Sequence, residues 1–103
     1  MNVLTHLTEL RRELQGLADP EAAVFLQRFF MTGPGEYGHG DRFLGIRVPR
    51  LRALIRPSRP LSLDEVLELL RSLWHEERLL ALLLLVDRYR RGTAAERATI
   101  HHA

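Results

Sequence analysis

Arginine is the residue type whose spacing in this sequence most clearly suggests chemistry. All 15 residues of the Lys and Arg total are arginines, and six of them lie between Arg42 and Pro60, a window with no acidic residue. The window carries +6, whereas the remaining nine arginines face 13 acidic residues and leave the rest of the chain at −4. Because guanidinium groups fork onto phosphate oxygens, the window predicts a surface that binds a polyanion, with nucleic-acid phosphates as the favoured ligand.

Five of these arginines are the predicted DNA contacts. If all six arginines of the window met phosphates, log K would fall with log salt at a slope of about −5. The alternative is a solvated face whose arginines pair with acids from neighbouring helices, such as Asp64, Glu65 and Glu68. Charge alone does not separate the two. The predicted DNA-binding residues are Arg42, Arg47, Arg50, Arg52 and Arg56.

Other sequence patterns that could indicate cofactor or metal binding lack the neighbouring residues or elements that such sites require. Residues 33–38 match the dinucleotide-binding pattern G-x-G-x-x-G, but that pattern must follow a strand, and here it follows a predicted helix. A zinc-protease helix needs a second histidine four residues after His75, where the sequence has Leu79. The chain has five histidines and no cysteine, and no set of them has convincing ligand spacing. We therefore predict no metal site and no cofactor.

The elements that must position the arginines are all predicted to be helices. Apolar residues recur at three- and four-residue steps, and no stretch alternates as a strand does. Pro20 suits a first helical position, and a capping box begins at Ser62. Ser72 is the expected cap of the last long helix, which Gly92 stops. The predicted helices cover residues 3 to about 16, 20 to 31, a short segment opened by Pro49 and closed by Pro57 and Pro60, 63 to 71, and 73 to 91.

Aromatic residues are assigned to the core. Phe25, Phe29 and Phe30 recur at helical spacing, and Trp74 is expected to pack against the preceding helix. Residues 32–45 hold five of the seven glycines and form a long loop, either ordered or disordered.

The order of the elements predicts an all-α fold. Short connections between helix pairs of about 30 to 45 residues are typical of an α-solenoid of the HEAT kind, in which antiparallel pairs stack. Such solenoids normally need three repeats, and this chain has at most two and a half. A second capping box at residues 93–96 starts a sixth helix close to the end of the chain. We expect residues 1–103 to be a single, truncated HEAT-like domain, the N-terminal part of a longer protein.

No segment predicts export or membrane insertion. Charged residues interrupt the first 16 positions, unlike a signal peptide. The longest apolar run, residues 79–86, is far shorter than the ~18 residues of a membrane span. Together with the absence of cysteine, this favours a soluble cytoplasmic protein.

Two further segments of the sequence form recognisable motifs, FLGIRVPRLR at residues 43–52 and WHEERLLAL at residues 74–82. Both resemble the DNA alkylation repair family, the AlkD-like HEAT-repeat DNA glycosylases. The glycine loop at residues 32–38 is similar to the form found in a broad bacterial branch. The resemblance covers roughly residues 20 to 100.

The resemblance implies a concave, basic surface of stacked helices that holds damaged duplex DNA, in a protein about twice this length. Such enzymes hydrolyse the N-glycosidic bond of N3- or N7-alkylated purines without a metal or redox cofactor. An Asp stabilises the developing sugar cation, and Trp residues contact the lesion. These residues lie in a Trp-Asp motif beyond the matched region, so the resemblance assigns no catalytic residue here. It does place Arg47 at a polar position that faces DNA.

Two functional hypotheses follow, and they differ in partner. The first is the DNA-contacting N-terminal portion of an AlkD-like glycosylase. The alternative is a non-catalytic HEAT-like protein-interaction scaffold whose arginines dock onto an acidic partner. A reading frame without function is a third possibility. Loss of duplex binding on Arg47→Ala favours the first hypothesis, and loss of a protein partner favours the second.

Overall fold

The computed structural model describes residues 3–29 and 42–92, and these residues form five helices joined by turns and loops. They include no strand, although one isolated parallel bridge pairs Arg42 with Trp74. The all-α prediction is therefore confirmed for this part of the chain. The predicted sixth helix, the end of the second helix and most of the glycine loop lie outside the described residues. The helices are α1 (Leu7–Leu17), α2 (Pro20–Phe29), α3 (Val48–Ala53), α4 (Leu63–Leu70) and α5 (His75–Arg91).

Helix α4 begins with the predicted capping box. The backbone N–H of Glu65 donates to Ser62 Oγ at 3.2 Å, and the Ser62 N–H donates back to Glu65 Oε1 at 3.1 Å. The other carboxylate oxygen of Glu65 accepts the Leu7 N–H at 2.8 Å. Hydrogen bonds from the backbones of Ser62 and Leu7 lower the pKa of Glu65, because they favour the charged form. One side chain thus satisfies orphan amides at the starts of both α4 and α1.

Helix α5 starts two residues later than predicted. It begins at His75 with Trp74 as its N-cap residue, and Ser72 makes no cap bond to the helix. Instead, Ser72 Oγ accepts the Trp74 N–H at 3.0 Å. The His75 N–H donates to the Arg42 carbonyl at 2.7 Å, so the chain entering α5 is held extended beside Arg42. The predicted end at Gly92 is confirmed.

The core lies where α1, α4 and α5 meet. Helix α5 packs most extensively on α4 and also contacts α3, while α1 packs on α4. A buried acid adds a polar link, because Glu77 is 2% exposed and accepts a bond from Arg11 Nε on α1 at 3.2 Å. Trp74 is half-buried and packs against this core. The most deeply buried leucines are Leu10, Leu14, Leu51, Leu61, Leu69 and Leu80.

Helix α2 does not contribute to the core, and the prediction for its phenylalanines is wrong. Phe25 is 67% exposed and Phe29 is 68% exposed, and no residue of α2 is buried. The helix is joined to the rest of the fold near its N-terminus, where the Asp19 N–H donates to the Leu44 carbonyl at 2.8 Å. The helical spacing therefore correctly predicted that Phe25 and Phe29 share one face of α2, but it did not show whether other helices cover that face. Phe30 lies outside the described residues.

Among residues 3–29 and 42–92, no helix is both long and apolar enough to cross a bilayer.

Candidate functional site

The segment that leads into Arg47 is held by one buried carboxylate. Glu76, in the first turn of α5, is 1% exposed. Its Oε1 accepts the Leu44 N–H at 2.8 Å, and its Oε2 accepts the N–H groups of Gly45 and Ile46 at 2.8 and 3.1 Å. Three consecutive amides pointing at one carboxylate fix the backbone of residues 44–46, and we call this arrangement the glutamate clamp. Residues 43–52 and 74–82, the two motifs that resemble the family, are therefore joined by hydrogen bonds.

Gly45 is required at the centre of this clamp. Its φ of +84° lies in the left-handed region that side chains rarely adopt. A Cβ at this position would also lie 2.0 Å from the carbonyl oxygen of Asp19 and 2.8 Å from the backbone nitrogen of Ala23. The glycine thus lets the clamped segment pack directly against the start of α2. This close approach sets the distance between α2 and the residues around Arg47.

Arg47 is the exposed residue on which these elements converge. It is the N-cap residue of α3, with φ −76° and ψ 150°, and its side chain makes no cap bond. It lines two cavities of about 340 and 560 Å³ that also share Leu26 of α2. We call these two cavities the Arg47 groove. Its walls come from α2 on one side and from the starts of α3 and α5 on the other.

The groove has acids at one end and a histidine at the other. Asp19 and Glu21 line the larger cavity at the start of α2. The Asp19 carboxylate already accepts the N–H groups of Glu21 and Ala22 at 3.0 and 3.3 Å, so part of its charge is offset by the helix N-terminus. His75 lines the smaller cavity and contacts Phe43 in a tilted arrangement, with ring centroids 4.7 Å apart and ring planes 35° apart. Sequence reasoning considered His75 only as a zinc ligand and missed its place beside Arg47.

The other predicted DNA contacts are exposed but do not join Arg47 in one cluster. Arg50 lines a separate cavity of about 410 Å³ between α1 and α3. Arg52 follows two residues later, which is about 200° around the helix, and so projects from the opposite edge. Arg56 lies in the turns after α3, and Arg42 is exposed beside Trp74. Only Arg50 and Arg52 therefore lie on α3, on opposite edges, while Arg42 and Arg56 lie outside it.

Arg59 is the one arginine of the window with an acidic partner among the described residues. Its Nη2 and Nε donate to the two oxygens of Asp87 at 2.9 and 3.1 Å, and Arg91 donates to the same carboxylate at 2.9 Å. The hydrogen bond from Arg59 is the main reason that the pKa of Asp87 is lowered. The pairing hypothesis is thus correct in kind for Arg59, but its partner is Asp87, which the sequence did not indicate.

The remaining five arginines make no ion pair within residues 3–29 and 42–92. Of the acids proposed as their partners, Glu65 serves as the cap described above, and Glu68 lies 3.9 Å from Arg11 of α1. Five guanidinium groups consequently stay available to an anionic ligand. Within residues 3–29 and 42–92, no three His, Cys, Asp or Glu residues lie close enough together to hold a metal ion.

Comparison with known proteins identifies the chain by sequence. Searches of curated proteins and of solved structures each returned no match. A family model described as DNA alkylation repair enzyme matches residues 10–102. This match includes the glutamate clamp, Arg47 and all five helices except the start of α1. It covers nearly the whole chain and agrees with the motifs at residues 43–52 and 74–82, so this chain belongs to the DNA alkylation repair enzyme family.

Proposed function

We propose that this chain is a DNA-contacting unit of an AlkD-like glycosylase and that Arg47 is its central phosphate contact. The observation that carries the proposal is the placement of Arg47. Its guanidinium is exposed in a groove, while the backbone before it is fixed by three hydrogen bonds to Glu76. A rigid backbone that presents a long cation suits a phosphate contact, because less freedom is lost on binding.

The proposal extends to fold and chemistry. We take the helices to be part of a HEAT-like α-solenoid whose complete form holds duplex DNA. The reaction served by this binding is hydrolytic release of N3- or N7-alkylated purines, and the family match supports a role in DNA repair. The sequence contains one tryptophan, Trp74, which is half-buried against the core. Because the resemblance places the family's catalytic Asp and Trp residues in a motif beyond the matched region, we assign binding rather than bond cleavage to the described residues.

The neighbouring arginines extend the contact beyond the groove. Arg42, Arg50, Arg52 and Arg56 are exposed and lack ion pairs within the described residues, so each can add a phosphate contact. Because Arg50 and Arg52 project from opposite edges of α3, while Arg56 follows the helix and Arg42 lies beside Trp74, a single straight duplex is not expected to meet all of them. We expect a salt slope well short of the value near −5 that six contacts would give.

The test is the salt dependence of binding to a short DNA duplex. Arg47→Ala is expected to weaken binding and to reduce the slope of log K against log salt by about 0.9, the value for one phosphate contact. Arg59→Ala is the matched control, because it removes the same charge from the same window but from a residue already paired with Asp87. Equal losses for the two variants, or binding that does not respond to salt, would refute the assignment of Arg47.

A further inference from the structure

Ser58 carries a buried hydroxyl group that has no hydrogen-bond partner among the described residues. The residue lies between α3 and α4 and is 1% exposed, and its Oγ neither donates nor accepts a bond there. Buried polar groups in native proteins are nearly always hydrogen-bonded, because burial removes their contacts with water. The hydroxyl therefore indicates a ligand bound beside Ser58.

Ser58 lines a small cavity whose size limits that ligand. The volume of the cavity is about 10 Å³, and we call it the Ser58 cavity. This is close to the smallest space that holds one water molecule, so phosphate, sulfate and organic molecules are too large to enter. The ligand is consequently a single water molecule or a monatomic ion. The cavity shares no lining residue with the Arg47 groove, so it is a separate site.

The charged residues around the Ser58 cavity favour an anion. Three arginines and one acid line it and leave a formal excess charge of +2; they are Arg59, Arg88, Arg91 and Asp87. Arg59 and Arg91 donate to the Asp87 carboxylate, and Arg88 Nη1 donates to the Leu61 carbonyl at 2.9 Å. A guanidinium has five N–H groups, so each arginine keeps donors that these bonds do not use.

The arginines alone would not identify a site, since basic residues in the last turns of a helix are common for electrostatic reasons. Arg88 and Arg91 have this position in α5. The Ser58 hydroxyl is an independent observation, because the helix dipole does not account for its burial without a partner. Beside this hydroxyl, the excess positive charge disfavours a cation and favours an anion over neutral water.

We propose that the Ser58 cavity binds one chloride ion, which accepts hydrogen bonds from the Ser58 hydroxyl and from arginine N–H groups. Chloride is monatomic and only slightly larger than water. Arg59 and Arg91, whose side chains are 36% and 42% exposed, can shift outward by the small distance that the ion needs. The ion links the turns after α3 to α5, so it contributes to the stability of the fold rather than to DNA binding.

Thermal unfolding in mixtures of sodium chloride and sodium gluconate at constant ionic strength tests the proposal. Screening of ion pairs is then constant, and gluconate is too large for the cavity. The test variant is Ser58→Ala, which removes the hydroxyl and leaves every charge in place. Ser72→Ala is the matched control, because the Ser72 hydroxyl already accepts the Trp74 N–H and Ser72 does not line the cavity. General effects of the two salts are common to all three proteins.

Chloride is expected to raise the unfolding midpoint of wild type and of Ser72→Ala, and the rise should saturate with concentration. Ser58→Ala should need about 10- to 150-fold more chloride for the same rise, since it lacks one hydrogen bond to the ion. In gluconate alone this variant should be at least as stable as wild type, because it no longer buries an unpaired hydroxyl.

Equal effects of Ser58→Ala in the two salts would overturn the proposal. A loss of stability of the same size in chloride and in gluconate would assign a water molecule to the cavity instead. The ³⁵Cl line width in a solution of the protein provides a second measurement that does not depend on unfolding. Excess broadening with wild type that Ser58→Ala diminishes would support the site, whereas a line no broader with wild-type protein than without it would contradict the proposal.

Discussion

Replacing Glu76 tests whether its carboxylate holds the segment that carries Arg47. In Glu76→Gln, the best arrangement keeps the amide oxygen at the Oε2 position, where it still accepts from Gly45 and Ile46. The amide nitrogen then faces the Leu44 N–H, so a bond of 2.8 Å becomes a contact between two donors. Losing one buried, charge-assisted bond and leaving its donor unsatisfied costs about 2–3 kcal/mol.

The glutamine variant is more informative than alanine. Glu76→Ala would leave three buried amides without an acceptor, at a cost on the order of 5 kcal/mol. A domain of this size has a total free energy of unfolding of only about 5–15 kcal/mol. The alanine variant is thus expected to be largely unfolded, whereas the glutamine variant should remain folded and measurable.

Urea unfolding followed by far-ultraviolet circular dichroism measures this loss. Glu68→Gln provides the control, because its side chain is 62% exposed and its loss should change stability by no more than about 0.5 kcal/mol. If the slope of the unfolding free energy against urea concentration (the m-value) is the same in both variants as in the wild type, the denatured states are comparable. If Glu76→Gln cost no more than Glu68→Gln, the clamp would not stabilise the fold and the argument for a fixed Arg47 backbone would fail.

Two further predictions concern a glycine pair and acid stability. Gly45→Ala should destabilise the fold by at least about 2 kcal/mol, since it combines a left-handed φ with a clash against backbone. Gly16→Ala should instead stabilise the fold by about 0.5–1 kcal/mol, because Gly16 lies inside α1 and a Cβ there meets nothing within 4 Å. Equal effects of the two substitutions in thermal unfolding would contradict this reasoning. Because folding lowers the pKa of Glu65 below its ordinary value of 4.5, its contribution to stability is present above that pH and is lost as the pH falls through the lowered value. Unfolding measured between about pH 5 and pH 2 should therefore show a weaker pH dependence in Glu65→Gln, and identical slopes would disprove the link.

The sequence was sufficient for the helices because their signals are local. The capping box at Ser62, the proline at the start of α2 and the glycine after α5 each act within a few residues, so they can be recognised without a structure. The start of α5 was misplaced because the competing interaction is distant. The amide of His75 bonds to Arg42, 33 positions earlier in the sequence, and no local pattern reveals that bond.

The candidate site was predictable only in part. Clustered charge identified Arg47 as exposed and basic, but not that Glu76 organises the backbone before it. Glu76 stands in the first turn of a helix, where an acid is common for electrostatic reasons alone, so its sequence position gave no sign of burial. The phenylalanines show the reverse limit. Their spacing defined one face of α2, whereas only the arrangement of the other helices determines whether that face is covered.

The central claim is that DNA binds in the Arg47 groove, and a nuclear magnetic resonance titration tests it most directly. A short DNA duplex would be added to ¹⁵N-labelled protein while backbone amide and arginine Nε–H signals are followed. We predict that the largest shifts fall on Ile46, Arg47 and His75, and that the Nε–H of Arg59, already bound to Asp87, changes little. Shifts centred on Arg59 and Asp87, or spread evenly over the exposed arginines, would contradict binding in the groove.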